Sequence, residues 1–204
     1  MAPHADDEII GAFGVIQTLL RQGTSVGVVV VTDGAASHPS SARWPRARLA
    51  AARRKESRRA LLRLGLTAPA VEFLNLPDGA LVARQRDCYR AIARSLARRG
   101  DLDLLVGPAA DDAHPDHRAV AAALMAAPCA ARRLAYRVWP TTRNRTDGWA
   151  LPTGRSAAAK RSVLGVYRTQ TGAITDDPQG FAIARHEAVL FTHPVERYFR
   201  AGQQ

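Results

Sequence analysis

Two short stretches of this 204-residue sequence concentrate side chains that bind metal ions or move protons. The first is Pro3-His4-Ala5-Asp6-Asp7-Glu8, with one imidazole and three carboxylates. The second, over a hundred residues later, is Asp111-Asp112-Ala113-His114-Pro115-Asp116-His117. His4 and Asp7 are three apart, so on a tight turn or a first helical turn they can face one point. Two imidazoles and a carboxylate leave a coordination position open, which is the pattern of a catalytic zinc site. The expected ligands are His4, Asp7 and His117, the two clusters closing on a single ion. Zinc lowers the pKa of a bound water to about 7. Asp6 sits beside a ligand but points another way, so it is the candidate general base. His114 is left free to stabilise an oxyanion or to donate to a leaving amine. Asp116 can hold one of the imidazoles in the required tautomer. Glu8 has no evident role beyond a helix N-terminus, where a carboxylate offsets the helix dipole.

These residues need elements to carry them. Apolar residues at helical spacing predict helices over 8–21, 46–64, 81–99, 116–127 and 156–167, with a short one over 178–184. Near-continuous apolar or β-branched runs predict strands over 26–32, 71–74, 102–106, 134–139 and, at the end, 187–191. Residues 141–154 read as irregular. The arginines of the second helix read mostly as a solvated face. Strands alternating with helices predict an α/β fold, a mostly parallel sheet with helices on both faces. Ligands in such folds bind beyond the carboxyl ends of the strands. The second cluster follows a strand directly. The first should as well, but only Met1-Ala2-Pro3 precede His4, so the first strand reads as absent or truncated.

Length and composition are those of one domain, 1–204. The formal net charge is +11, which could attract anionic partners. The basic residues are dispersed and few aromatics lie among them, which weighs against a nucleic-acid surface. Two cysteines make neither a disulfide framework nor a thiolate zinc site, and a reducing cytoplasm fits them. No apolar run reaches the roughly 20 residues of a membrane helix, and no signal-peptide pattern is visible. Gly11 and Gly14 do not complete a dinucleotide-binding G-x-G-x-x-G. The sequence does not reveal an oligomeric state.

With its motifs in view, the chain resembles the PIG-L/LmbE-type family of zinc-dependent N-deacetylases. The family's His-Pro-Asp-Asp-Glu reads His4-Ala5-Asp6-Asp7-Glu8 here, and its His-Pro-Asp-His is intact at His114–His117. Arg53-Arg54-Lys55-Glu56, Leu76-Pro77-Asp78-Gly79 and Lys160 followed by Tyr167-Arg168-Thr169-Gln170 also match family patterns. The resemblance implies a Rossmann-like domain that hydrolyses an acetamido group on an N-acetylglucosamine-type sugar or a small conjugate. It assigns zinc to His4, Asp7 and His117, the general base to Asp6, and assistance at the transition state to His114. It also implies contacts from Arg53 and Asp78 to sugar hydroxyls. Nitrogen and oxygen ligands do not select strongly between Zn2+ and another divalent ion such as Fe2+. Two other readings are carried forward. A metal-dependent phosphoesterase could also be built from Asp- and His-rich loops. A basic nucleic-acid-binding protein with a vestigial site would explain the net charge.

Overall fold

A computed structural model describes residues 1–141, 148–154 and 156–202. The elements follow in the order α1 (Asp7–Arg21), β1 (Val28–Thr32), α2 (Arg46–Arg63), β2 (Val71–Leu76), α3 (Gln85–Ala97), β3 (Leu104–Pro108), α4 (Pro115–Ala126), β4 (Arg132–Tyr136), β5 (Trp149–Pro152), α5 (Ser156–Leu164), α6 (Arg185–Phe191) and β6 (Val195–Arg200). β1 pairs with β2 in parallel, Val28 opposite Val71. β3 pairs with β4 in parallel, and β6 and then β5 extend that sheet with antiparallel pairing.

The anticipated missing strand lies between these two ladders. Met1 to Pro3 stand in its place. The Ala2 N–H donates to the Val29 carbonyl at 2.7 Å, and the Ala2 and Pro3 carbonyls accept from Val31 and Thr32 at 2.9 Å. On the other side the Met1 amino group donates to the Val106 carbonyl at 2.8 Å. Three residues therefore satisfy the facing backbone groups of β1 and reach β3, where a gap would have left buried donors and acceptors unpaired. His4 follows directly and is anchored by this short bridge.

Helices cover both faces. On β1, Val30 joins a core with Ile9 and Phe13 of α1 and Ala60 and Leu61 of α2. Its neighbour Val31 points the other way, into a core with Cys88 and Ile92 of α3 and Val120 and Leu124 of α4. This alternation is what a strand buried on both sides requires. α1 lies unusually close to the sheet. A Cβ at Gly11 would fall 2.1 Å from the Tyr136 ring, and one at Gly14 would fall 2.8 Å from Glu196. The two glycines thus serve packing, in keeping with their failure to form a nucleotide motif.

The last third departs from the sequence-based expectation. Residues 187–191 form part of helix α6 rather than a strand, started by the Glu187 carboxylate accepting from the Ala184 N–H at 2.7 Å. The helix expected over 178–184 does not form. There Phe181 N–H donates to the Ser37 carbonyl and Ile183 N–H to the Gln170 carbonyl, both at 2.7 Å, so remote acceptors replace the helical ones. The last strand is β6, whose buried Glu196 disguised it. Within the stretch read as irregular, Trp149–Pro152 is strand β5, completed by pairing with β6; 142–147 lie outside the described residues.

Candidate metal centre

Three loops at the carboxyl ends of the parallel strands build the site. The loop after Pro3 carries His4 to Asp6 into α1. The turn after β2 carries Asp78. The loop after β3 carries Asp112 and His114 into α4, where Pro115 opens the helix with its φ pre-set and no N–H to satisfy. His114 is the N-cap, its Nδ1 accepting from the Asp116 N–H at 3.2 Å.

The two clusters meet. His4 Nδ1 lies 3.2 Å from Asp7 Oδ2 and 3.2 Å from His117 Nε2. His117 Nε2 lies 3.1 Å from Asp7 Oδ2. These three lone-pair atoms form a near-equilateral triangle. Ligands on a tetrahedral ion with bonds of about 2.0 Å stand roughly 3.3 Å apart, so the donor set fits a small divalent cation. His114 joins the same group, its ring 4.7 Å from that of His4 and 4.9 Å from that of His117, centroid to centroid. His4, His114 and His117 also bring ligand atoms within 4.8 Å of one another, but His114 Nδ1 is already engaged by its own helix.

Each inner imidazole has a carboxylate behind it. His4 Nε2 lies 3.1 Å from Asp78 Oδ1 and 3.5 Å from Asp116 Oδ2. His117 Nδ1 lies 3.3 Å from Asp112 Oδ2. Carboxylates on that side favour the tautomer that leaves the other nitrogen free for a metal ion. They are themselves held: Asp112 accepts from the N–H groups of His114, Val138 and Trp139, and Asp116 from those of Gly79 and Leu81. Burial alone would lower the basicity of both imidazoles. The surrounding carboxylates outweigh it, raising His4 well above its ordinary value and His117 to about 9. Asp7 moves the other way: His117 and His4 overcome its burial and hold it well below the carboxylate range. A site with this field draws positive charge to the triangle. Burial, reinforced by its charged imidazole neighbours, pulls His114 down to about 4, so it is neutral, and with Nδ1 accepting, Nε2 carries the proton.

Asp6 is buried beside the triangle, and its carboxyl is pushed up to about 8, first by burial and then by Asp7 and Glu8 against the pull of Arg53. Its backbone has φ 124°, rare and costly for a residue with a Cβ. Glu8 holds this conformation. Its Oε2 accepts from the Asp6 N–H at 2.9 Å, while its Oε1 accepts from Ser57 at 2.6 Å and Tyr167 at 2.5 Å. Arg53 of α2 is buried, not solvated, and donates to the Ala5 carbonyl at 2.7 Å and the Gly34 carbonyl at 3.0 Å. Sequence reasoning brought every member of the inner group together. It missed Asp112 behind His117, Asp78 behind His4, and the strut formed by Glu8. Asp112 stood in the second cluster, but nothing in its spacing distinguished it from Asp111.

The fold is α/β, and it brings this His-Asp-His constellation together at the carboxyl ends of the parallel strands. The chain belongs to the PIG-L (GlcNAc-PI de-N-acetylase) family, whose pattern matches residues 1–128. Among solved structures it is similar to N,N'-diacetylchitobiose deacetylase from Pyrococcus horikoshii, with 22% identity, TM-score 0.66, and coverage of 83% of this chain and 68% of that one. It is also similar to the teicoplanin deacetylase Orf2, solved in a zinc-inhibited form, with 18% identity, TM-score 0.68, and coverage of 100% and 98%. A third similar fold is GalB, the 4-carboxy-2-hydroxymuconate hydratase from Pseudomonas putida, with 17% identity, TM-score 0.65, and coverage of 94% and 80%. The same architecture therefore carries more than one reaction. A search of curated protein sequences finds no match.

Proposed function

We propose that this protein is a metal-dependent N-deacetylase that hydrolyses the acetamido group of an N-acetylglucosamine-type sugar or small conjugate. The observation that carries the reading is the triangle of His4 Nδ1, Asp7 Oδ2 and His117 Nε2, with Asp6 and His114 at its edge. Zn2+ or another divalent ion such as Fe2+, when bound there, supplies Lewis acidity towards an amide carbonyl and a water. Asp6, as carboxylate, takes the proton of the attacking water. The strained turn and the Glu8 strut aim it, and its raised basicity suits a base working near neutral pH. His114 presents its Nε2–H to the amide oxygen as that oxygen gains charge. The proton held on Asp6 is then available to the departing amine. Asp116 acts through His4 by keeping its tautomer. Asp78 sits behind the same imidazole, and both it and Arg53 line the cavity over the site, where they contact sugar hydroxyls at its edge. The His4–Asp7–His117 triangle with a neutral His114 beside it fits amide hydrolysis better than a two-metal phosphoesterase.

No helix among the described residues is long and apolar enough to cross a membrane. Both cysteines are free, as suits a reducing cytoplasm, and the cavity over the site is of a size for a small-molecule substrate. The test is acetate release from N-acetylated sugars by the metal-loaded protein. Chelation should abolish it, and Asp6→Asn should lower kcat by about 10²–10⁴-fold while the metal stays bound. Undiminished turnover in Asp6→Asn would overturn the assignment of the base.

A further inference from the structure

The cavity over the metal centre has a mixed lining, Ser37, Gln170 and Gln179 together with Trp139, Phe181 and Phe191. Trp139 meets Phe181 and Phe191 edge to face, at 5.8 Å and 5.4 Å between centroids. A sugar's hydroxyls match the polar groups. The single methyl of an acetyl group is far too small to cover three aromatic rings. Ile10, Trp139 and Phe191 are shared with a second cavity of about 460 Å³, larger than the roughly 390 Å³ over the metal centre. Beyond the shared ridge the second cavity continues over Tyr136, Val138 and Phe199. Of its ionisable lining, Lys160 and Glu196 pair with each other at 2.7 Å and Arg137 pairs with Asp111, while His186, Glu187, His193 and Arg197 also line it. At its lip Leu190 of α6 is 67% exposed. Exposed aliphatic side chains at the mouth of a cavity are a feature of surfaces that bind apolar groups.

We propose that the second cavity is an acyl-chain pocket, and that the substrate carries an N-acyl group of medium chain length rather than acetyl alone. This rests on the amidase reading above: the amide at the metal centre sends its amine side towards Ser37 and the glutamines, and its acyl chain over Phe191 into the second cavity. The reaction is unchanged, water adding to the acyl carbon and the C–N bond breaking, with a free fatty acid released in place of acetate.

Burying one methylene contributes enough to raise kcat/KM roughly fourfold, so a chain that enters the pocket should produce a large preference. The experiment compares N-acetyl- and N-octanoyl-glucosamine with the metal-loaded protein, following the free amino sugar. Wild type should favour the octanoyl substrate by at least about tenfold in kcat/KM. Leu190→Asp, at the lip and away from the metal, should lower the octanoyl-to-acetyl ratio by about tenfold with an unchanged melting temperature. Acetyl turnover without octanoyl preference, or an unchanged ratio in Leu190→Asp, would overturn the proposal. If neither amide is cleaved, the amidase reading fails, and binding then decides the pocket. N-octanoyl-glucosamine should bind at least about tenfold tighter than the acetyl form, and equal Kd values would overturn it.

Discussion

At the scale of the residue, the division of labour among neighbouring carboxylates is set by what each one touches. Asp7 faces two imidazoles and stays ionised; Asp6, one position earlier, is buried against like charge and holds its proton to about pH 8. A general base works only after losing that proton. Activity should therefore rise with pH through the Asp6 titration and level off above it. A bound cation favours the carboxylate, so the acid limb of kcat/KM in the loaded enzyme should have its midpoint at or below about 8. A pH–rate profile checks this, and the limb should be absent from any residual activity of Asp6→Asn. Behind the proposed ligands, Asp112 faces His117 Nδ1 at 3.3 Å. Asp112→Asn should weaken metal affinity by about 10–100-fold, measured by competition with a chromophoric chelator, with the ligands themselves intact. The inner residues could be grouped from sequence because imidazoles and carboxylates at that spacing are the types a small divalent cation would require. Asp112 and Asp78 could not be assigned as partners of imidazoles, because that role depends on how a loop from β3 and a turn from β2 fold over the site. Glu8 was misread for a related reason: its partners Ser57 and Tyr167 are brought in by α2 and by the turn after α5.

At the scale of the element, α1 is the part that must not move, since it carries Asp7 and begins at the strained Asp6. It is secured by a buried ion pair from the far end of the chain. Lys160 of α5 donates to the Ile10 carbonyl and to Glu196 of β6, both at 2.7 Å, and Glu196 accepts from the Gly14 N–H at 2.8 Å. The pair thus grips a carbonyl and an N–H four residues apart on one helix. Removing one buried partner leaves the other charge uncompensated, at a cost of about 3–5 kcal/mol. Lys160→Met alone should be destabilised by about that amount in denaturant unfolding. Adding Glu196→Gln should recover part of it, since the uncompensated charge is then gone. Additive losses would show that the two act independently. The elements up to α4 followed from apolar periodicity because each buries a regular stripe. α6 and β6 did not: a seven-residue helix shows little periodicity, and a strand with a buried Glu breaks the apolar alternation that marks a strand.

At the scale of the whole molecule, Met1 to Pro3 bridge the two ladders at their centre. The backbone bonds of these residues to β1 and β3 hold His4 at the strand ends. The arginine surplus plays a smaller part in the site than the net charge suggests. Among the described residues, Arg53 alone of the arginines is buried there, and Arg54 and Arg58 lie over the Phe73 ring at 5.5 Å and 5.3 Å. The central claim is that two clusters over a hundred residues apart hold a single ion between them. Metal content of the purified, metal-reconstituted protein by elemental mass spectrometry, in wild type and in His4→Ala and His117→Ala, tests it most directly. One divalent ion per chain is expected in wild type, and its loss from each variant while the fold is retained. Two ions per chain, or an ion kept in full by either variant, would contradict it.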